Sequence, residues 1–229
     1  MNVVAKSLFR NYRLVGLWFW GVIALVVVVA SVITARFGGI DLSLWALITG
    51  QASKYWLLVL GVSLVVIQLK LYVANGVTRR EFLLGAGAFG VVTALLFAAL
   101  VPIGTGVEWL LRNAFGVAAN GYPDFSAGQA LRDFGYYAPG AIGWLITGAL
   151  VAAGFYRYSW WAGLLLVIPF GLPLVVPEML LGLYASADAP VSRFVPFGAG
   201  LALSLLASAA GAVVLRLVTR DMTIRPSAG

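Results

Sequence analysis

An all-α integral membrane fold with six transmembrane helices is the class this sequence predicts, and three observations carry it. The first is composition. Of the 229 residues 62% are hydrophobic and only 10% charged, against roughly 25% charged in a soluble domain. The mean hydropathy is +1.00, so too few charges exist to coat a water-facing surface. The second is run length. Several stretches of 20 residues or so are almost free of charge, and a helix of about that length crosses a bilayer core. The third is the placement of the charges that remain, which gather between the apolar runs.

The elements follow in order as one transmembrane domain over 1–229. Residues 2–12 place Val4, Leu8 and Tyr12 on one face, with Phe9 beside them and Lys6 and Arg10 elsewhere. That spacing suits a short amphipathic helix lying in the interface; a basic tail without structure is the plainer alternative. Span one is 14–35, uncharged throughout. It is too long for a signal peptide core of about 7–15 residues. Span two is 55–75, charged only at Lys70. Span three is 82–103 and span four 137–156. Span five, 160–177, carries Pro169, Pro173 and Pro177. Each interior proline removes a helix hydrogen bond and crowds the turn before it, so this span is expected to kink or break. Span six is 196–215. Runs this long exclude barrel strands of about 9–11 alternating residues.

Six spans put both termini on one side, and the Lys/Arg bias chooses which. With the termini inside, the inner segments hold Lys6, Arg10, Arg13, Arg79, Arg80, Arg157, Arg216, Arg220 and Arg225 against Glu81 and Asp221. The outer segments hold Arg36, Lys54, Arg112, Arg132 and Arg193 against Asp41, Glu108, Asp124, Asp133, Glu178 and Asp188. The inner side is therefore strongly basic and the outer side slightly acidic. Lys70 is the single ionisable residue expected within a span, near its inner edge. The net charge of +7 is thus explained by orientation, without a nucleic-acid partner. The longer outer loops carry aromatic residues suited to an interfacial belt, and 106–116 reads as a short surface helix.

Two packing ladders stand out. Ala86, Gly90 and Ala94 in span three, and Gly200, Ser204 and Ser208 in span six followed by Ala212, recur at steps of four. Small residues at that spacing let helices approach closely. These are packing sites rather than chemistry.

The turn between spans two and three reads Asn75-Gly76-Val77-Thr78-Arg79-Arg80-Glu81-Phe82. Glycine accepts the left-handed conformation that ends a helix. Thr78 with Glu81 three residues on forms a capping-box pattern. The turn would then present Arg79 and Arg80 on the inner face; a charged turn that only fixes topology is the plainer reading. Together with six spans and an interfacial N-terminal helix, this turn resembles the permease subunits of ATP-binding-cassette transporters, more narrowly the type-2 exporters whose ATPase is a separate chain.

That resemblance implies a docking surface for an ATPase formed by Gly76, Val77, Thr78, Arg79, Arg80, Glu81 and Phe82. It implies a pair of membrane subunits, identical or paralogous, in a bacterial cell membrane, with ATP and Mg on the partner. It also implies short segments dipping back into the outer leaflet between spans five and six, over 178–192, with Glu178 at the outer mouth. The alternative for span five is a merely curved helix.

The chain has no cysteine and no histidine. That removes thiolate metal sites, the commonest metal ligand and the commonest general base, so no catalytic residue, metal or cofactor is expected on it. No P-loop of the form G-x-x-x-x-G-K-[ST] occurs. A proton- or sodium-driven carrier would carry acidic groups deep in the bundle, and their expected absence argues for an external energy source. The sequence thus favours the membrane subunit of an ATP-driven exporter of a hydrophobic or amphipathic substrate. The alternative is a non-transporting scaffold, sensor or assembly subunit.

Overall fold

The computed structural model describes residues 3–36, 43–114, 125–181 and 195–220. They form helices α1 (Val3–Arg36), α2 (Leu44–Ser63), a π-helical turn (Leu64–Gln68), α3 (Leu69–Ala74), α4 (Arg79–Ala114), α5 (Ala127–Arg157), α6 (Trp160–Phe170), α7 (Leu172–Leu181) and α8 (Phe197–Arg220). α2, the π turn and α3 run on as one rod, and α6 and α7 join end to end. The result is six helical rods long and apolar enough to cross a membrane. The chain is an all-α, multi-pass membrane protein.

α5 is the central rod. It packs against α2, α4, α6, α7 and α8, and nearly its whole second half is buried. Its sequence explains this. Ala138, Gly140, Ala141, Gly143, Gly148, Ala149, Ala152, Ala153 and Gly154 give it little bulk, so neighbouring backbones come close. A side chain on Gly148 would strike the Leu58 carbonyl of α2, and one on Gly61 would strike the Leu145 carbonyl of α5. Gly143 lies against the Pro173 carbonyl of α7 in the same way. The core that results includes Leu57, Phe89, Leu145, Leu150 and Phe170. By contrast, α1 packs mainly on α4 and α2 and exposes Leu17, Trp18, Leu25 and Val28, as a lipid-facing rod does.

Several expected boundaries move. The N-terminal stretch is not a separate interfacial helix; it continues into span one as the first turns of α1. That helix has 34 residues and at 1.5 Å each is about 51 Å long, well beyond a ~30 Å core. Val4, Ala5 and Leu8 are buried because α4 offers a groove at Gly85, where an added Cβ would lie 2.6 Å from Val4. Phe9 meets Phe89 edge-on at 4.8 Å. Lys6 and Arg10 stay exposed.

Span two begins at Leu44, not 55, with Ser43 as N-cap accepting from the Ala46 amide. Of the surface helix expected over 106–116, residues 106–114 are instead the end of α4, which continues through Pro102; 115 and 116 lie outside the described residues. The Trp45 indole donates to the Leu100 and Val101 carbonyls beside that proline, at 3.2 and 3.1 Å.

Span five is interrupted at Gly171, between α6 and α7. Pro169 ends the first piece, and Pro173 and Pro177 are buried in the second. The re-entrant element expected over 178–192 lies outside the described residues from 182 onward. Of the two ladders, Ala86, Gly90 and Ala94 are buried, as are Gly200, Ser204 and Ser208. The second ladder then steps to Gly211, while Ala212 is exposed. A period of 3.6 residues makes a strict step of four drift off the buried face within three turns.

Candidate functional site

The π turn and α3 end in the 75–78 connector. Its first half stops a helix: the Gly76 amide donates to the Val73 carbonyl and the Val77 amide to the Tyr72 carbonyl, both at 3.0 Å, with Gly76 at φ +83°. That is the paired hydrogen-bond pattern of a glycine C-cap. Its second half starts a helix. The Thr78 amide and hydroxyl donate to Glu81 Oε2 at 3.2 and 2.9 Å, and the Glu81 amide donates to Thr78 Oγ1 at 3.2 Å. Every backbone amide from Asn75 to Thr78 thereby has a local acceptor, which makes the connector stiff.

The two arginines part company. Arg80 is exposed, whereas Arg79 is half-buried and donates to the Arg220 and Thr219 carbonyls at 2.7 and 3.4 Å. Arg157, at the end of α5, donates to the Val218 and Leu217 carbonyls at 2.8 and 3.1 Å. Two guanidiniums from different helices therefore cap the last turn of α8, where carbonyls lack intrahelical donors and the helix dipole favours cations. Phe82, also in the expected docking set, is buried beside Tyr72. Lys70 lies over the Tyr156 ring at 4.6 Å. This end of the bundle is a basic platform joining α4, α5 and α8.

Away from that platform lies a site the sequence reading missed. Lys54 on α2 and Glu178 on α7 form an ion pair, Nζ to Oε1, at 2.7 Å. Lys54 is 5% exposed and Glu178 8%. The Trp144 indole of α5 donates to the same Oε1 at 3.0 Å, and Tyr55 meets the Trp144 ring edge-on at 5.3 Å. Glu178 Oε2 is buried without a hydrogen-bond partner among the described residues. The sequence reading puts both charges in outer loops and makes Lys70 the single ionisable residue within a span. The structure corrects both statements. Lys54 and Glu178 lie within helical rods and compensate each other, which is what makes their burial tolerable.

A small cavity adjoins the pair. Ser53, Lys54, Leu57, Phe97 and Tyr137 are among the residues that line it. It offers about 10 Å³ to the centre of a water-sized sphere, room for one water molecule at most. Ser53 is buried, and its hydroxyl has no partner among the described residues.

A third polar group sits at the π turn. The Tyr12 and Ser63 hydroxyls are 3.0 Å apart, and Gln68 Nε2 donates to the Tyr12 hydroxyl at 3.2 Å. It ties α1 to span two. No group of three or more His, Cys, Asp or Glu placed to hold a metal ion occurs among the described residues. Comparison with family models, curated proteins and solved structures finds no match to this chain.

Proposed function

We propose that the chain is the membrane-spanning subunit of an ATP-driven exporter of the ATP-binding-cassette type. In this reading both termini are cytoplasmic in a bacterial cell membrane. A separate ATPase docks on the 76–82 turn, a second membrane subunit completes the pathway, and the cargo is hydrophobic or amphipathic. The observation that carries it is the way the turn is built. It is stiffened at both ends by caps, exposes Arg80, and is tied through Arg79 to the same helix end that Arg157 holds. A push delivered there by a partner would move α4, α5 and α8 together, which a loose loop could not do. Arginine also suits bidentate contact with a partner's carboxylates, and the chain has no nucleotide-binding loop of its own.

The test is co-purification of the tagged chain from native membranes in mild detergent. An ATPase with Walker motifs is expected in the eluate, and Arg80→Glu is expected to remove it while the membrane subunit still inserts and stays monodisperse. Recovery of the same partner with Arg80→Glu, or of none with the wild type, would sink the docking role.

A second reading has one observation in its favour. The buried Lys54–Glu178 pair is the kind of intramembrane charge found along ion and substrate paths, so an ATP-independent carrier or channel also fits. Solute flux into liposomes holding the purified chain alone would favour it over the exporter.

A further inference from the structure

We propose that the exposed face of α1 at Lys6, Arg10 and Arg13 is a binding site for the headgroup of an anionic phospholipid. The three cations recur at steps of four and three, so they share an arc of about 60° on the helix, and all three are exposed. α1 carries no Asp or Glu along its length, and among the described residues none of the three reaches a carboxylate. The platform arginines differ, since Arg79 and Arg157 are occupied at the end of α8.

The face is held from behind. Val4, Ala5 and Leu8 are buried, Phe9 meets Phe89, and Tyr12 is hydrogen-bonded to Ser63 and Gln68 of span two. The rotation of α1 about its own axis is thereby fixed, with the cations turned away from the bundle.

Depth decides the occupant. Arg13 is the last charge before the uncharged run 14–35. Arg10 lies about 4.5 Å and Lys6 about 10.5 Å further from the core along the axis. The headgroup layer is about 5–7 Å thick on each side of the bilayer, so Arg13 and Arg10 fall within it and Lys6 lies at its watery edge. Leu17 continues the same face beyond Arg13, with Trp18 beside it, and both are exposed. They give the acyl chains of that lipid an apolar surface directly below its phosphate. A soluble partner would reach only the charged part of such a face. A second copy in two-fold contact would set the same cations against one another. The inference requires that α1 crosses a bilayer; it holds whichever side the N-terminus faces and whether or not an ATPase docks.

The experiment is tryptophan quenching by brominated lipid. The full chain is reconstituted in phosphatidylcholine vesicles holding a minor fraction of either brominated phosphatidylglycerol or brominated phosphatidylcholine. Trp18 is 74% exposed, and its share of the signal is isolated by subtracting that of Trp18→Phe. At Trp18 the anionic lipid is expected to be preferred about five-fold or more. The preference should fall to parity in the double variant Arg10→Gln with Arg13→Gln, fall less in Lys6→Gln, and persist in Arg10→Lys with Arg13→Lys. High salt should weaken it in the unaltered chain, because exposed charges are screened. Arg216 is an exposed cation on a different rod, α8, and Arg216→Gln should change nothing at Trp18. Equal quenching by the two lipids in the unaltered chain overturns the proposal. So does a preference that survives the double glutamine variant, that ignores salt, or that drops as much in Arg216→Gln, the mark of a diffuse surface charge instead of a site.

Discussion

Breaking the Lys54–Glu178 pair from one side should be far more damaging than removing it whole. Lys54→Met leaves Glu178 buried without its cation, and Glu178→Met leaves Lys54 without its anion. Removing one partner of a buried pair costs about 3–5 kcal/mol, whereas replacing both with apolar groups of similar volume is often neutral or stabilising. The structure argues for the full penalty here. Both side chains are less than a tenth exposed, and the Trp144 indole, a donor like the ammonium, binds the carboxylate and cannot take its place opposite Lys54. For a chain of 150–250 residues each kcal/mol shifts the melting temperature by roughly 2–4 °C, so each single variant should melt about 6–20 °C lower. The double variant should return close to wild type. The assay is thermal unfolding in detergent, followed by intrinsic fluorescence, as a double-mutant cycle. Single losses below about 1 kcal/mol that simply add in the double variant would refute the reasoning, because a pair solvated in the folded state behaves that way.

Three further outcomes follow from the packing. Arg79→Ala should loosen the last turn of α8, since it removes a partly exposed charge-assisted donor worth about 1 kcal/mol; amide exchange over 216–220 should speed up roughly five-fold. Gly148→Val should destabilise by at least 1–3 kcal/mol because its side chain would meet the Leu58 carbonyl, while Gly87→Ala, with nothing within 4 Å, should be neutral or slightly stabilising in the same melting assay. The chain has no native cysteine, so Lys6→Cys and Ser126→Cys report orientation cleanly: with cytoplasmic termini, an impermeant maleimide added outside intact cells should label position 126 and not position 6.

The apolar rods were legible in the sequence because lipid imposes a length and a charge deficit that composition displays directly. The glycine cap and capping box at 75–81 were legible too, since each rests on residues within a few positions of one another. The ion pair was not. A hydropathy reading sees a charge but not its partner, and Lys54 and Glu178 are far apart in the chain. Read alone, each charge marks the edge of a span, which cuts α2 short by eleven positions and puts Glu178 in a loop. One signal did exist: residues 44–53 are uncharged, so a span that tolerated one lysine would have begun at Leu44. The continuity of α1 had no local signal, because the groove at Gly85 that holds Val4 belongs to another helix.

The two polar sites share one element, and that has a mechanical consequence. Arg157 of α5 holds the end of α8 on the basic platform, and Trp144 of α5 holds Glu178 of α7 at the ion pair. Those residues are 13 positions apart, about 20 Å along a helix. Between them α5 meets its neighbours through glycine and carbonyl rather than through long side chains, at Gly148 against Leu58 and Gly61 against Leu145. Such contacts have no rotamers to absorb a displacement, so a tilt of α5 at one site must move α2 with it at the other. Packed interfaces of this kind switch between discrete arrangements instead of deforming smoothly. If the platform is where a partner acts, as proposed, the ion pair is the first polar contact that the motion would strain.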